Sequence, residues 1–311
     1  MTILLTTFER DFRTRLLDVV YSQWHDLGVP LSSALYPQST EVIDPEALLW
    51  CSFEFLPTEP RLRESLLGWL QANEHYIIRQ RLNKVARNGE PRTNIWRALD
   101  SKTIREVDRP NEVCHGLDEV EELLTFCERL SAEVQDGRWP KARLVQAAPR
   151  SSTLLLQARD LLGNDIRHLL LVYLLANPAG GKLKAIQSWS GYSYRSISET
   201  ATRWEATGVL SIDHGYCRLI HLEPWKALLR LSAEQTVIVD WFFLFDACIR
   251  LLRAVGKAER KGLSWDSGVV TSFRGEAAQA LVSSVRSETR AEPPSIAHLR
   301  ELLTGAATRQ H

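Results

Sequence analysis

The sequence predicts a mainly α protein with one small β-hairpin. Three observations carry this reading. Apolar residues recur at three- and four-residue intervals along most of the chain, helix start and stop signals bracket those stretches, and only residues 209–220 alternate as a strand pair does.

The first stretch is Phe8, Phe12, Leu16, Val19, Val20, Trp24 and Leu27, an amphipathic stripe. Thr6 with Glu9 forms a capping-box pattern at its start, and Gly28 and Pro30 end it. Asp44 before Pro45 opens a second helix that runs to Leu56, ahead of Pro57. Pro60 begins a third, to Ala72, and Glu74 to Asn88 reads as a fourth, closed by Gly89. That fourth helix carries Arg79, Arg81, Lys84 and Arg87, with Tyr76, Ile77, Leu82 and Val85 as apolar anchors. It is either a basic binding surface, with 45–88 a degenerate helix-turn-helix, or a solvated helix facing an acidic one. Segment 89–115 is polar and irregular. Leu117 to Asp136 loads acids into its first turn, where the helix dipole favours them.

Residues 1–137 are thus expected to form a helical domain, and 138–153, with Trp139, Pro140 and Pro149, a linker. A helical segment at Leu154 to Leu162 leads into a helix from Asn164 to Ala176, with Ile166, Leu169, Leu170, Tyr173 and Leu174 on its buried side. After a break at residues 177–181, Leu183 to Ser190 is a short helix with Leu183, Ile186 and Trp189 inward. Gly191-Tyr192-Ser193 is a turn, and Ser193 is a natural N-cap for a helix to Ala206. Ile197, Ala201 and Trp204 make the buried face of that helix. Thr207-Gly208 stops it. Val209 to Asp213 and Tyr216 to Ile220 alternate as two strands around His214-Gly215, where glycine permits the positive φ of a tight hairpin.

Residues 223–311 read as a helical extension. Pro224 starts a short helix, and Ser232 with Gln235 caps a long one to Lys257. Its apolar residues, from Val237 through Trp241 and Phe245 to Leu252, cover more than one stripe. They fit either a dimerisation helix or the core of a monomer. Two further helices are expected at 268–290 and 295–303.

Lys plus Arg and Asp plus Glu are both 38, so the chain is formally neutral and carries no general basic coat for nucleic acid. The zero hides a division: residues 1–150 sum to −4 and 151–311 to +4. Block 110–137 holds eight acids against Arg129 alone, and 76–109 holds nine basic residues against four acids. The five cysteines form no C-x-x-C pair, which excludes a disulfide framework or zinc finger of usual spacing. Residues 1–7 lack a basic segment followed by a long apolar one, and the apolar run Thr236 to Val255 is broken by Asp240, Asp246, Arg250 and Arg253. A cytoplasmic protein is expected. No enzyme signature survives inspection. Gly180-Gly181-Lys182 lacks the earlier glycine and following hydroxyl of a phosphate loop, and Gly191-Tyr192-Ser193-Tyr194-Arg195 lacks the last glycine of a nucleophile elbow. No catalytic residue, cofactor or metal is expected.

The string LKAIQSWSGYSYRSISETATRWEATGVLSIDHGYCRLI, residues 183–220, has a short helix, a Gly-centred turn, a Ser-rich helix, a small-Gly-aliphatic stop and a hairpin. Residues 163–222 resemble the winged helix-turn-helix domains of bacterial transcription regulators. The resemblance implies a winged helix domain at 154–222 that places the helix 193–206 in the major groove of double-stranded DNA. On that helix and its turn, Tyr192, Ser193, Tyr194, Arg195, Ser196, Ser198, Thr202 and Arg203 would face DNA, with Arg195 on a guanine edge. Lys182 and Lys184 would meet phosphates, and His214, Tyr216 and Arg218 of the wing the backbone or minor groove. The expected protein is a homodimeric, sequence-specific repressor. The balance of +2 across 163–222 is weak for a duplex binder, and Glu199 is placed to pair with Arg203 instead. The alternative is a protein-docking adaptor or antitoxin-like module that uses the same fold for protein contacts.

Overall fold

The stripe from Phe8 to Trp24 lies on α1, Leu5–Asp26, with Leu27 in the turn just after it, and every residue of it is buried. A computed structural model describes residues 5–29, 31, 40–78, 80–82, 151–231, 236–264, 267–285 and 293–308. The predicted capping box does not form: α1 is already helical at Leu5, and the Thr6 hydroxyl donates to Glu259 at 2.6 Å. α2, Pro45–Ser52, starts as the sequence predicts, with the Asp44 side chain accepting from the Glu46 and Ala47 N–H groups. α3 spans Pro60–Asn73. The helix expected over 74–88 is not continuous. A single 3-10 turn, Glu74–Tyr76, gives way to extended backbone at Ile77, and the Ile78 N–H leaves the helix ladder to donate to the Glu46 carboxylate at 2.7 Å. The acidic helix expected at 117–136, and most of the expected linker, lie outside the described residues. The linker's end, Ser151–Thr153, is a buried 3-10 turn.

α4, Leu154–Leu162, and α5, Ile166–Ala176, follow. Next come β1, Gly181–Lys182, α6, Leu183–Ser190, α7, Tyr194–Ala206, β2, Leu210–Asp213, β3, Tyr216–Leu219, and α8, Glu223–Leu228. The strand β1 falls where the sequence suggested only a break. The sheet is antiparallel throughout, with order β1-β3-β2 and Gly181 opposite Cys217.

α9 spans Trp241–Arg260, nine residues later than its expected start at Ser232. The β-branched run from Thr236 to Val239 is extended instead, as such residues prefer. It pairs in parallel with Glu41, through Val42 N–H to Val237 C=O at 2.8 Å, and Val239 bridges Val285. Asp240, which looked like an interruption in an apolar helix, is its N-cap and accepts from Phe243 N–H. α10, Gly268–Ser283, stops short of 290 because Ser284 and Val285 join that bridge, and α11 is Pro294–Thr308.

Two hydrophobic cores result. One gathers α1, α2 and α3 with α9, α10 and α11; the other gathers α4 through α8 with the sheet. The carboxy-terminal helices are therefore not an appendage but half of the first core. Of the two roles that the apolar residues of α9 fit, most of them serve the core of this chain, while Phe243 is exposed. Trp241, Leu244, Phe245, Cys248, Leu251 and Leu252 are buried within this chain, against α1, α2 and α10. The two extended segments run along the seam between the cores. Ile43, Val237 and Val239 enter the first core, while Val42 and Ile238 enter the second. Among the described residues no helix is long and apolar enough to cross a membrane.

Gly180 brings the chain ahead of β1 close against β3. Its φ is +108°, and a Cβ there would sit 2.5 Å from the Cys217 carbonyl and 2.8 Å from the Tyr216 ring. Gly180→Ala meets both a forbidden conformation and a backbone clash, and should cost about 2–4 kcal/mol, read as a lower denaturant midpoint with an unchanged slope.

Candidate nucleic-acid interface

The turn from α6 to α7 is built from local signals. Ser190 ends α6, Gly191 takes a left-handed conformation with φ 73°, and its N–H returns to Gln187 C=O. Ser193 then caps α7, its hydroxyl accepting from Ser196 N–H at 3.1 Å. Ile197 and Ala201 are fully buried against α5, α6 and β2, and Trp204 is half-buried, stacked on Trp225 at 6.4 Å. The inward face is the one the sequence predicts.

The outward face presents Tyr194, Arg195, Glu199, Thr202 and Arg203, all exposed, with Ser196 and Ser198 half-buried at its edge. The expected Glu199–Arg203 pair is replaced by Arg195–Glu199 at 2.7 Å. This bond holds the Glu199 carboxyl below the ordinary carboxylate range and raises Arg195. Arginine N-terminal to glutamate is the weaker orientation along a helix, and both groups are in water, so an incoming anion can displace the carboxylate. Glu205 is committed elsewhere: it accepts the Ile212 N–H at 2.9 Å and ties the end of α7 to β2.

The hairpin turns at His214 and Gly215, with φ of 47° and 74°. Two successive positive φ values match the twist of a two-residue hairpin. His214 stands exposed at the tip. Pairing of β1 with β3 sets Lys182 directly beside Tyr216, and Arg218, two residues on, shares that exposed face. Its Nε–H donates to Ser211. Lys184 is exposed on the first turn of α6. The sheet thus adds Lys182 to the hairpin side chains. Tyr192 differs from the rest. It packs against the second core, and burial pushes its phenol up, against the pull of Arg81 and Arg159.

That pull reveals what sequence reasoning missed. Behind the turn, Arg81 and Arg159 meet Asp44 and Glu46 inside the protein. Arg81 bonds Asp44 at 2.5 Å and Glu46 at 2.8 Å, and Arg159 grips both Glu46 oxygens at 2.8 Å. Arg159 also donates to the Tyr76 carbonyl. Arg81 further donates its Nε–H to the Ser190 carbonyl at 3.2 Å and lies over the Phe242 ring. Burial alone would raise the Glu46 carboxyl, but Arg159 and Arg81 outweigh it and hold it at about 2. His168 completes the group. It accepts from Arg159 Nε–H at 3.3 Å, and its other nitrogen lies 3.0 Å from Gly163 C=O, which fixes a neutral tautomer. Burial and the two guanidiniums push this imidazole down to about 3. One signal was available in the sequence: Arg159 and Arg81 each fall on an otherwise apolar stripe, Leu154, Leu155, Ala158 and Ile77, Ile78, Leu82. Arg81 is therefore no part of a basic surface. Arg79, Lys84 and Arg87 lie outside the described residues.

Among the described residues no group of three or more His, Cys, Asp or Glu side chains is placed to hold a metal ion, and Cys51, Cys217 and Cys248 are buried free thiols. Compared with protein-family models, with curated proteins and with solved structures, the chain gives no match.

The histidine makes stability depend on pH with a definite sign. Above about 6.5 it is neutral in both states. Below that the unfolded chain binds a proton that the folded one refuses until about 3, so stability falls with pH. The slope reaches about 1.4 kcal/mol per pH unit, and Glu46 adds to it between 4.5 and about 2. Urea unfolding between pH 7 and 5 should show this slope in the native protein and a flatter one in His168→Gln; equal slopes would contradict it.

Proposed function

We propose that the protein is a sequence-specific DNA-binding regulator that lays α7 in the major groove and acts as a homodimeric repressor. The observation that carries the reading is the polar, exposed face of α7, held outward by a small body of three helices and a sheet. Two details support a winged helix. The strand between α5 and α6 pairs with the far strand of the hairpin, in the order β1-β3-β2, and the hairpin directly follows α7. A helix of this length on such a support fits a groove about 12 Å wide.

Roles follow from position. Tyr194 and Arg195, at the exposed amino end of α7, reach base edges, with Arg195 exchanging Glu199 for the acceptors of a guanine. Thr202 and Arg203 lie further along the same face. Lys182, Lys184 and the α7 cap serve phosphates, and His214, Tyr216 and Arg218 flank the groove. Two copies double a modest positive surface and read two half-sites.

A second reading, a protein-docking adaptor, has its own observation. The outer face of α7 alternates Arg195, Glu199 and Arg203, a pattern that complements another protein's mixed charges as well as a duplex. Purification with a stoichiometric protein partner and no DNA-dependent retention would favour it.

The test is a binding selection from genomic fragments followed by gel shift across salt concentrations. Arg195→Ala should weaken the selected site about 5- to 150-fold and relax one base position, whereas Lys184→Ala should weaken all duplexes alike and lower the salt slope by about one. Glu199→Ala, which removes the competing carboxylate, should tighten binding to random duplex and steepen its salt dependence. No salt-sensitive shift with any selected fragment would refute the proposal.

A further inference from the structure

We infer that Arg81 is a positioning residue for α7, and that through it the segment 40–82 controls how that helix reads DNA. The inference rests on the DNA-binding reading above. It starts from one side chain that touches three parts of the protein. The terminal nitrogens of Arg81 are clamped by Asp44 and Glu46, at the start of α2. Its Cζ lies over the Phe242 ring on α9, 5.4 Å from the ring centre. Its third nitrogen donates its Nε–H to the carbonyl of Ser190, the last residue of α6.

Those bonds fix more than a helix end. A helix leaves its last carbonyls without internal partners, and a guanidinium placed there also meets the negative end of the helix dipole. Between Ser190 and the first residue of α7 lie only Gly191, Tyr192 and Ser193. Tyr192 N–H donates back to the Ser190 hydroxyl at 3.3 Å, so the anchored residue holds the turn by both its carbonyl and its side chain. Tyr194 and Arg195 come next. Their direction depends on where the turn is pinned, and the pin comes from outside the α4–α8 body. Arginine is suited to this because its fork is rigid: with two prongs on carboxylates and its Cζ over a ring, Nε has one place to point. A displacement of α2 or of residues 80–82 against α6 is therefore transmitted to the reading end of α7, and a ligand or partner that moves them regulates DNA binding.

Arg81→Lys keeps the charge and removes both the fork and the Nε–H. The full-length variant is compared with the native protein by amide hydrogen exchange, and by affinity for a selected duplex against random duplex at one salt concentration. The expected result is at least tenfold faster exchange at Gly191, Tyr192 and Ser196, unchanged exchange in β2 and β3, and about a tenfold lower ratio of specific to random affinity, with random binding itself unchanged. Phe242→Leu, which loosens the guanidinium without touching its ion pairs, should shift the same quantities in the same direction and serves if the lysine variant does not fold. Native exchange at the turn, or faster exchange with an unchanged affinity ratio, overturns the inference. If the native protein binds no duplex, the DNA-binding reading fails and takes with it the control of reading; native-like exchange in the variants would then also refute the pinned turn.

Discussion

Two guanidiniums and two carboxyl groups lie out of water where the two hydrophobic cores meet, and each is tolerable there only in the presence of the others. Glu46 is fully buried and bonded to both arginines and to the Ile78 N–H. Such a network adds little net stability over apolar packing, but losing one member leaves a buried charge at a cost of about 3–5 kcal/mol. Its effect is on arrangement. Asp44 and Glu46 come from one end of α2, Arg159 from α4 and Arg81 from the segment after α3, so the charges are satisfied in one relative placement of these pieces. A slip of the two cores would break several bonds at once.

The seam beside this network has its own restraint. The extended stretches around Val42 and Ile238 alternate side chains between the cores, as strand geometry requires. The Trp241 indole N–H donates to the Val42 carbonyl at 2.8 Å, locking the start of α9 to the same strand. Polar backbone that would otherwise be stranded between two apolar bodies is thus paired across them. The protein gains a firm base from which a small helical body projects α7.

The charge distribution bears on the DNA-binding proposal. A formally neutral chain has no net long-range attraction for phosphate, so under that proposal affinity would come from the few cations around α7 and the hairpin. Some of these are already engaged with neighbours on the surface: Arg195 with Glu199, and Arg218 with Ser211. Under the same proposal, random duplex would offer little to outweigh those contacts, whereas a correct base edge would offer two aligned acceptors to a single arginine.

Local chemistry written in the sequence determined α1, α6, α7, the Ser193 cap and the His214-Gly215 hairpin, because periodicity, capping and positive φ act within a few residues of one another. The exposed face of α7 was legible for the same reason: once Ile197 and Ala201 turn inward, helical geometry places Tyr194, Arg195 and Thr202 outward. β1 was not legible, since two residues become a strand only when Tyr216 and Cys217 lie beside them. Nor was the late start of α9, where a pairing with Glu41 nearly 200 residues away decided between helix and extended chain. The fate of Arg81 was least legible of all. A charged residue among apolar ones can point to solvent or to a buried partner, and the choice is made by Asp44, Glu46 and Ser190, which only the tertiary structure brings within hydrogen-bonding distance.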